Sequence, residues 1–299
     1  MKSTQPLVVP FVKMHGAGND FIVIDNRFMH FTGAELATIA LRFCPRRFGI
    51  GADGLLALEK ADEPGFNYRM RYYNADGSVA RMCGNGARCL ARFAYHGGVE
   101  GTSMTDGISY RFQSDAGSYS ADVSFNSQGD IALHVPPPEG FREDMDTCDL
   151  GAIHYIWTGT EHAVVMVSDV ATVPVAEFGS EIRHAVAFAP EGANADFVQV
   201  AADQGDTAHL LVRTFERGVE AETLACGTGV LASAVVAALT GLSTAQHYTV
   251  DVPGGRLGVD IAWREGADRR RPTIEDIEGL TLSGPAATVY QGTLEFSGE

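Results

Sequence analysis

The chain repeats itself. Cys83-Gly84-Asn85-Gly86 and Cys226-Gly227-Thr228-Gly229 stand 143 residues apart, and the same shift carries Gly16 to Gly159, Gly49 to Gly192 and Asp53 to Asp196. The run from Gly18 to Asp25 lands on a similar run from Glu161 to Ser168. One offset shared by separate segments implies two equivalent domains related by a pseudo-two-fold axis, and 299 residues suffice for two cores. The boundary falls near Pro136-Pro137-Pro138, just after an expected hairpin turn at Asn126-Ser127-Gln128-Gly129. We therefore expect an N-terminal domain over 1–130 and a C-terminal domain over 131–280. The strand-like run Ala287 to Phe296 returns within 281–299 to complete the first.

Short runs rich in β-branched and aromatic residues predict strands at Phe21–Ile24, Tyr68–Tyr72, Ala163–Val167, Phe197–Val200 and Leu210–Phe215. Each Cys-Gly-x-Gly opens a small-residue run compatible with a helix, Ala87–His96 and Val230–Thr240, closed by Gly97-Gly98 and Gly241. Each half is then a set of strands with one long buried helix, and a cysteine at that helix's N-terminus.

That position has chemical consequences. A helix N-terminus carries free backbone N–H groups and the positive end of the helix dipole. Both stabilise a thiolate, which predicts lowered thiol pKa values. The same N–H groups grip a carboxylate, and glycines let the backbone approach it closely. Two such helices placed tip to tip put one sulfur on each face of an amino acid's α-carbon. One thiolate removes the α-proton and the opposite thiol delivers another, so the centre inverts by general acid–base catalysis. The amides stabilise the charge that develops on the carboxylate. The competing reading is that both cysteines are small buried hydrophobes. Glycine-flanked helix starts are poor core positions, which favours catalysis. Cys89, six residues into the same helix, is expected to be core, and Cys44 and Cys148 carry no motif.

Composition removes other classes. The formal net charge of −16 repels nucleic acid and anionic membranes. Met1 to Pro10 does not read as a signal peptide, and no stretch approaches a membrane span, which predicts a cytoplasmic protein. Five cysteines without Cys-x-x-Cys spacing argue against a disulfide framework and a structural zinc site. No metal and no other cofactor is expected, because the cysteine pair is self-sufficient. Gly49-Ile50-Gly51-Ala52-Asp53-Gly54 fits G-x-G-x-x-G, but no hydrophobic strand precedes it, so a dinucleotide site is rejected. Several polar residues flank the cysteine motifs. Asn19 lies in His15–Phe21, Asn74 in Asn74-Ala75-Asp76-Gly77-Ser78, and Glu216-Arg217-Gly218 precedes the second cysteine. An arginine there can bind a carboxylate bidentately.

Met82–Cys89 and Ala225–Gly229 resemble the two catalytic signatures of the diaminopimelate epimerases. Lys13–Phe21, Gly49–Leu55, Asn74–Ser78 and Glu216–Gly218 resemble further blocks of that family in the same order, so the similarity spans nearly the whole chain. Paired cysteines alone also fit a related racemase acting on another amino acid, such as proline. The resemblance implies an α+β fold of two pseudo-symmetric domains, each a barrel-like mixed or antiparallel sheet around a central helix. It implies a homodimer that epimerises LL- and meso-2,6-diaminoheptanedioate for lysine and cell-wall synthesis without pyridoxal phosphate. By the matching motifs, Cys83 and Cys226 would be the acid–base pair. Gly84, Asn85, Gly227 and Thr228 would hold the reacting carboxylate, and Asn19, Asn74, Asn194 and Arg217 the distal end. His162 and Glu216 would tune the cysteines, and Glu216 would also touch substrate. Thr160 would bind substrate where the family often has asparagine, since Gly159-Thr160-Glu161-His162 replaces Gly-Asn-Pro-His. Gly54 stands where some members have glutamine, and the segment from Glu216 to Cys226 is one residue longer than the commonest form.

Overall fold

The computed structural model describes residues 6–126 and 129–297. The chain divides into two compact units, Met1–Leu133 with Gly284–Glu299, and His134–Ser283. The turn expected at Asn126–Gly129 includes Ser127 and Gln128, which lie outside the described residues.

The first unit contains β1 (Leu7–Gly16), β2 (Asn19–Asp25), α1 (Asn26–Met29), α2 (Gly33–Phe43), β3 (Gly54–Glu59), β4 (Tyr68–Asn74), β5 (Val79–Ala80), α3 (Gly84–His96), β6 (Thr102–Ser103), β7 (Gly107–Ser114) and β8 (Gly117–Ser124). After β9 (Ile131–Val135), the second holds β10 (Glu139–Cys148), β11 (Gly151–Trp157), β12 (Glu161–Met166), α4 (Val175–Arg183), β13 (Asn194–Asp203), β14 (Thr207–Glu216), β15 (Ala221–Thr223), α5 (Gly227–Leu239), β16 (His247–Val252), β17 (Gly255–Trp263) and β18 (Ile277–Gly284). The last strand, β19 (Ala287–Phe296), pairs antiparallel with β1. All five strands and both helices expected from the sequence are present, the helices starting three residues earlier than the periodicity suggested.

Both units are wired alike. In the first, β1 pairs antiparallel with β2, β2 parallel with β3 and β3 antiparallel with β4; β5 is a short antiparallel flap on β4 that leads into α3. In the second, β11, β12, β13, β14, β15 and α5 repeat that order and those senses. The parallel pair β2–β3 is joined through α1 and α2, and β12–β13 through α4, as a parallel connection requires a crossover.

The parallel strands are buried on both faces, so they read as apolar runs rather than alternations. Ile22, Ile24, Leu55 and Ala57 pack with Leu36, Ile39 and Ala40 of α2. The opposite face receives α3: a methyl added at Gly86 would sit 3.2 Å from Leu56 and 3.4 Å from Phe21. In the second unit Ala163, Val165, Ala195 and Phe197 pack with Val175 and Ile182 of α4. There α5 is the central helix, buried from Gly229 through Ala238. A helix apolar all round has no solvent face to offer, which is why it lies inside. In α3 the same place is taken with Arg88 and Arg92 also buried.

One offset does not run through the strands. Shifted by 143, the register pair Leu55↔Tyr73 would become Val198↔Glu216, yet Val198 faces Val212. The shift of 143 does hold from Gly84–His96 to Gly227–Leu239. Loops of different length between elements absorb the slip, because surface connections tolerate insertions that a packed helix start does not.

Candidate active site

Cys83 and Cys226 are each the N-cap of the central helix of their unit, both with extended backbone, φ −146° and −109°. Gly84 and Gly227 are the first helical residues, and Asn85 and Thr228 the second. The Cys83 sulfur accepts from the Gly86 N–H at 3.5 Å and lies 3.4 Å from Asn19 Oδ1. Asn85 is buried, and its Nδ2 also donates to Asn19 Oδ1 at 3.4 Å. The first unit thus gathers Cys83, Gly84, Asn85 and Asn19. Asn74 stands apart from that hydrogen-bonded group. It ends β4 opposite Gly54 and donates to Ser78 Oγ at 3.0 Å within its own turn. At Gly54 a Cβ would lie 2.5 Å from the Tyr73 carbonyl and 2.6 Å from the Tyr72 ring, so no longer side chain fits there. The glycine string of 49–54 leads into a strand, and Lys13 donates to the Gly51 carbonyl. A phosphate-binding loop would open a helix and offer N–H groups instead.

Behind Asn19 sits a set of charges that sequence reading did not assign. Asn19 Nδ2 donates to Asp53 Oδ2 at 2.6 Å. Asp53 also accepts from the Asp20 backbone N–H at 3.1 Å, and Asp20 accepts from the Asp53 N–H at 3.1 Å. Lys13 and Arg46 both pair with Asp20 at 2.7 Å. Burial opposes ionisation of Asp20, but hydrogen bonds and charge from Arg46 and Lys13 outweigh it and hold its pKa at about 2.

In the second unit Cys226 is buried, with its sulfur 3.4 Å from Thr228 Oγ1. Its thiol is pushed well above the usual range, first by desolvation and then by the negative charges of Glu216 and Asp196. The Thr228 hydroxyl and the Gly229 N–H pull the other way without prevailing. This corrects the expectation of a lowered pKa. The helix start favours the thiolate, but near-complete removal from water and two nearby carboxylates cost the charged form more. His162 is fully buried, and its Nδ1 lies 2.6 Å from Asp196 Oδ2, while Thr214 donates to Asp196 Oδ1 at 2.7 Å. Asp196 was visible in the sequence only as the repeat partner of Asp53.

Thr160, Asn194 and Arg217 form one cluster at the end of β14. The Arg217 N–H donates to Asn194 Oδ1 at 2.8 Å, and Asn194 Nδ2 donates to the Glu161 carbonyl at 3.0 Å. Arg217 Nη2 donates to Thr160 Oγ1 at 2.6 Å, and Nη1 pairs with Glu161 Oε2 at 2.7 Å. Glu161, unassigned from sequence, therefore engages one edge of the guanidinium. Among the described residues Nε has no partner, which leaves it with the second Nη2 hydrogen as a two-pronged edge for a carboxylate. Cys44 and Cys89 are buried, and desolvation raises both thiols to about 12, so neither is a nucleophile. All five cysteines are free thiols. Among the described residues no group of His, Cys, Asp and Glu is placed to hold a metal ion, and no helix is long and apolar enough to cross a membrane.

Solved structures share this fold at low sequence identity. A Bacillus anthracis phenazine biosynthesis protein of the PhzF family superposes with TM-score 0.70 at 15% identity, covering 96% of this chain and 99% of that one. A hydroxyproline epimerase from Agrobacterium vitis gives 0.66 at 14%, covering 98% and 93%. Sequence relatives are nearer. Diaminopimelate epimerases of Chlorobaculum tepidum and Aquifex aeolicus are 39% and 37% identical, covering 94% and 95% of this chain and 99% and 97% of their own lengths. The diaminopimelate epimerase family model matches residues 11–129 and 154–269, which take in both cysteine-led helices, so the chain belongs to the diaminopimelate epimerase family.

Proposed function

We propose that this chain is an isomerase that interconverts LL- and meso-2,6-diaminoheptanedioate, using Cys83 and Cys226 as the acid–base pair. The observation that carries the reading is the duplication of a single device. Two units of the same topology each end a β-flap in a cysteine that caps a buried helix. Relatives that cover 94% and 95% of the chain bear the matching name.

The chemistry follows from that device. The first-turn amides of α3 and α5 hold the reacting carboxylate, with Gly84, Asn85, Gly227 and Thr228 supplying backbone that can come close. A thiolate on one face takes the α-proton: the C–H bond breaks, an S–H bond forms, and the electron pair spreads into the carboxylate. The thiol on the other face gives its proton to that carbon, and the centre is inverted. First-turn N–H groups stabilise the charge of the anionic transition state. Arg217, Asn194, Asn19 and Asn74 bind the distal amino-acid end, and Thr160 also contacts substrate. Glu216 raises the Cys226 thiol in the free protein, so an ammonium arriving beside it frees that sulfur to ionise. His162 belongs to the same tuning set. No metal or pyridoxal phosphate enters. We place the enzyme in the cytoplasm as a homodimer acting on a small molecule. Sedimentation equilibrium at about the protein's cellular concentration tests the dimer.

The function is tested by incubating the protein with each isomer in deuterium oxide after exhaustive chelation. Deuterium should enter the α-position as the other isomer appears. Cys83→Ala and Cys226→Ala should each abolish inversion, by about 10³-fold or more. Near-normal inversion by either variant would overturn the two-base mechanism.

A further inference from the structure

The side-chain amides of Asn19 and Asn85 lie in a chain whose two ends are ions of opposite kind. At one end Asp53 Oδ2 is 2.6 Å from Asn19. A carboxylate only accepts, so the Asn19 atom facing it is the NH2 group, and the atom facing Cys83 is the carbonyl oxygen. At the other end Arg88 Nη2 is 2.7 Å from Asn85. A guanidinium only donates, so Asn85 turns its carbonyl to Arg88 and its NH2 to Asn19. The two determinations are independent and agree. Every bond runs one way, from Arg88 to Asn85, from Asn85 to Asn19 and from Asn19 to Asp53.

Arg88 has little else to do with its charge. It is fully buried, and its Nε and Nη1 have no hydrogen-bond partner among the described residues. Asp53 is tied in turn by Arg46 at 2.9 Å and by the Asp20 N–H. A carbonyl oxygen 3.4 Å from the Cys83 sulfur can accept from a thiol but repels a thiolate.

We propose that Asp53 and Arg88 are positioning residues that fix the amides of Asn19 and Asn85 in one orientation, so that Asn19 presents its carbonyl oxygen to Cys83 and holds the thiol proton in the substrate-free protein. The proposal rests on the reading of Cys83 as an acid–base thiol. Arg88 and Cys89 of its own helix interact electrostatically with Cys83, and the Asp20, Arg46 and Lys13 cluster lies behind Asn19. If Asp53 loses its acceptor, the Asn19 amide is free to turn over and donate N–H to the sulfur, which favours the thiolate.

The test measures the pH dependence of iodoacetamide alkylation at Cys83 in the full-length, substrate-free protein. Trypsin cuts after Arg81 and Arg88, so mass spectrometry reads Cys83 alone in the peptide from Met82 to Arg88. Asp53→Ala should lower the midpoint by about one pH unit, roughly tenfold in thiolate at a fixed pH below it. Asp53→Asn keeps an acceptor for the Asn19 NH2 and should recover most of that shift. Asn19→Ala, which removes the acceptor, should lower the midpoint by itself, and adding Asp53→Ala to it should change little. Three results would overturn the proposal: no shift in Asn19→Ala, an Asp53→Asn shift as large as that of Asp53→Ala, or full additivity in the double variant. The last two would mean that Asp53 acts by its charge rather than through the amide. Asn19→Ala leaves the Asp20–Asp53 clasp in place, so it decides the matter even if Asp53→Ala does not fold. Alkylation needs no substrate. A wild-type protein that fails to epimerise yet shows these shifts refutes the functional reading alone.

Discussion

Cys83 and Cys226 hold the same helical position in different surroundings. Cys83 is partly exposed and lies against an amide, whereas Cys226 is buried near two carboxylates. Helix-start chemistry was legible in the motif, but a motif does not state a side chain's solvent exposure. That is why a lowered Cys226 thiol was expected and a raised one is found. Because Glu216 contributes to the rise, Glu216→Gln should lower the Cys226 alkylation midpoint by about half a pH unit or more. The measurement is quantitative alkylation of the Cys226 peptide across pH, and an unchanged or higher midpoint would remove Glu216 from the tuning set. Asp53, Arg88, Glu161 and Asp196 went unassigned for a related reason. Three of them act on a residue distant in sequence: 34 positions from Asp53 to Asn19, the same from Asp196 to His162, and 56 from Glu161 to Arg217. Arg88 instead acts on Asn85, three residues away in its own helix, and read from the sequence only as a helix residue. The one available signal was the coincidence of Asp53 and Asp196 in the repeat.

Among the elements, α5 shows most clearly how a motif glycine is enforced by packing. In an exposed helix, Gly→Ala gains roughly 1 kcal/mol from backbone entropy. At Gly229 the added methyl would lie 2.3 Å from Asp196 Oδ1 and 3.2 Å from Thr214 Oγ1. Asp196 is fixed by His162 and Thr214 and has no room to retreat. Overpacking of about 1–3 kcal/mol then outweighs the propensity gain. Gly229→Ala should therefore lower the urea midpoint, and a stabilised protein would contradict this account. The strands were readable because parallel strands covered on both faces are continuous apolar runs bounded by turn residues. Their register was not readable. Hydrogen-bond pairing depends on loop lengths on both sides of each strand, so the offset that held across the helices slipped in the sheet.

Across the whole molecule, at a net charge of −16, the ion pairs of the chain include the cluster of Lys13, Asp20 and Arg46. Asp20 joins β2 to the loop before β3 and is held at about 2 against an ordinary 3.8, so its folded-state pKa is depressed. Its contribution is present above the unfolded value and is lost as pH falls from about 4 toward 2. The size is about 2 kcal/mol at neutral pH. Asp20→Asn should be less stable at pH 7 and show a flatter stability curve between pH 4 and 2, as followed by urea unfolding at each pH. A variant curve parallel to the wild type would show that the Lys13–Asp20–Arg46 cluster adds nothing through ionisation. The return of the chain is also a whole-molecule feature. Leu294 and Phe296 of β19 pack in the first unit's core with Val9 and Phe11, so residues at opposite ends of the sequence share one interior.

The sequence alone determined the duplication, the two cysteine-led helices, the order of strands around them and the family. All of these depend on local pattern: periodicity, glycine placement and a motif repeated at one spacing. Only the tertiary structure decided the register of the strands, the depth at which each sulfur lies, and which way the amides of Asn19 and Asn85 face. The first two depend on contacts between residues far apart in the chain, as does the Asn19 amide through Asp53, while the Asn85 amide is set by Arg88 of its own helix. Burial sets the cost of a charge, and an acceptor-only or donor-only partner sets the polarity of an amide. Neither quantity is written at the position it controls.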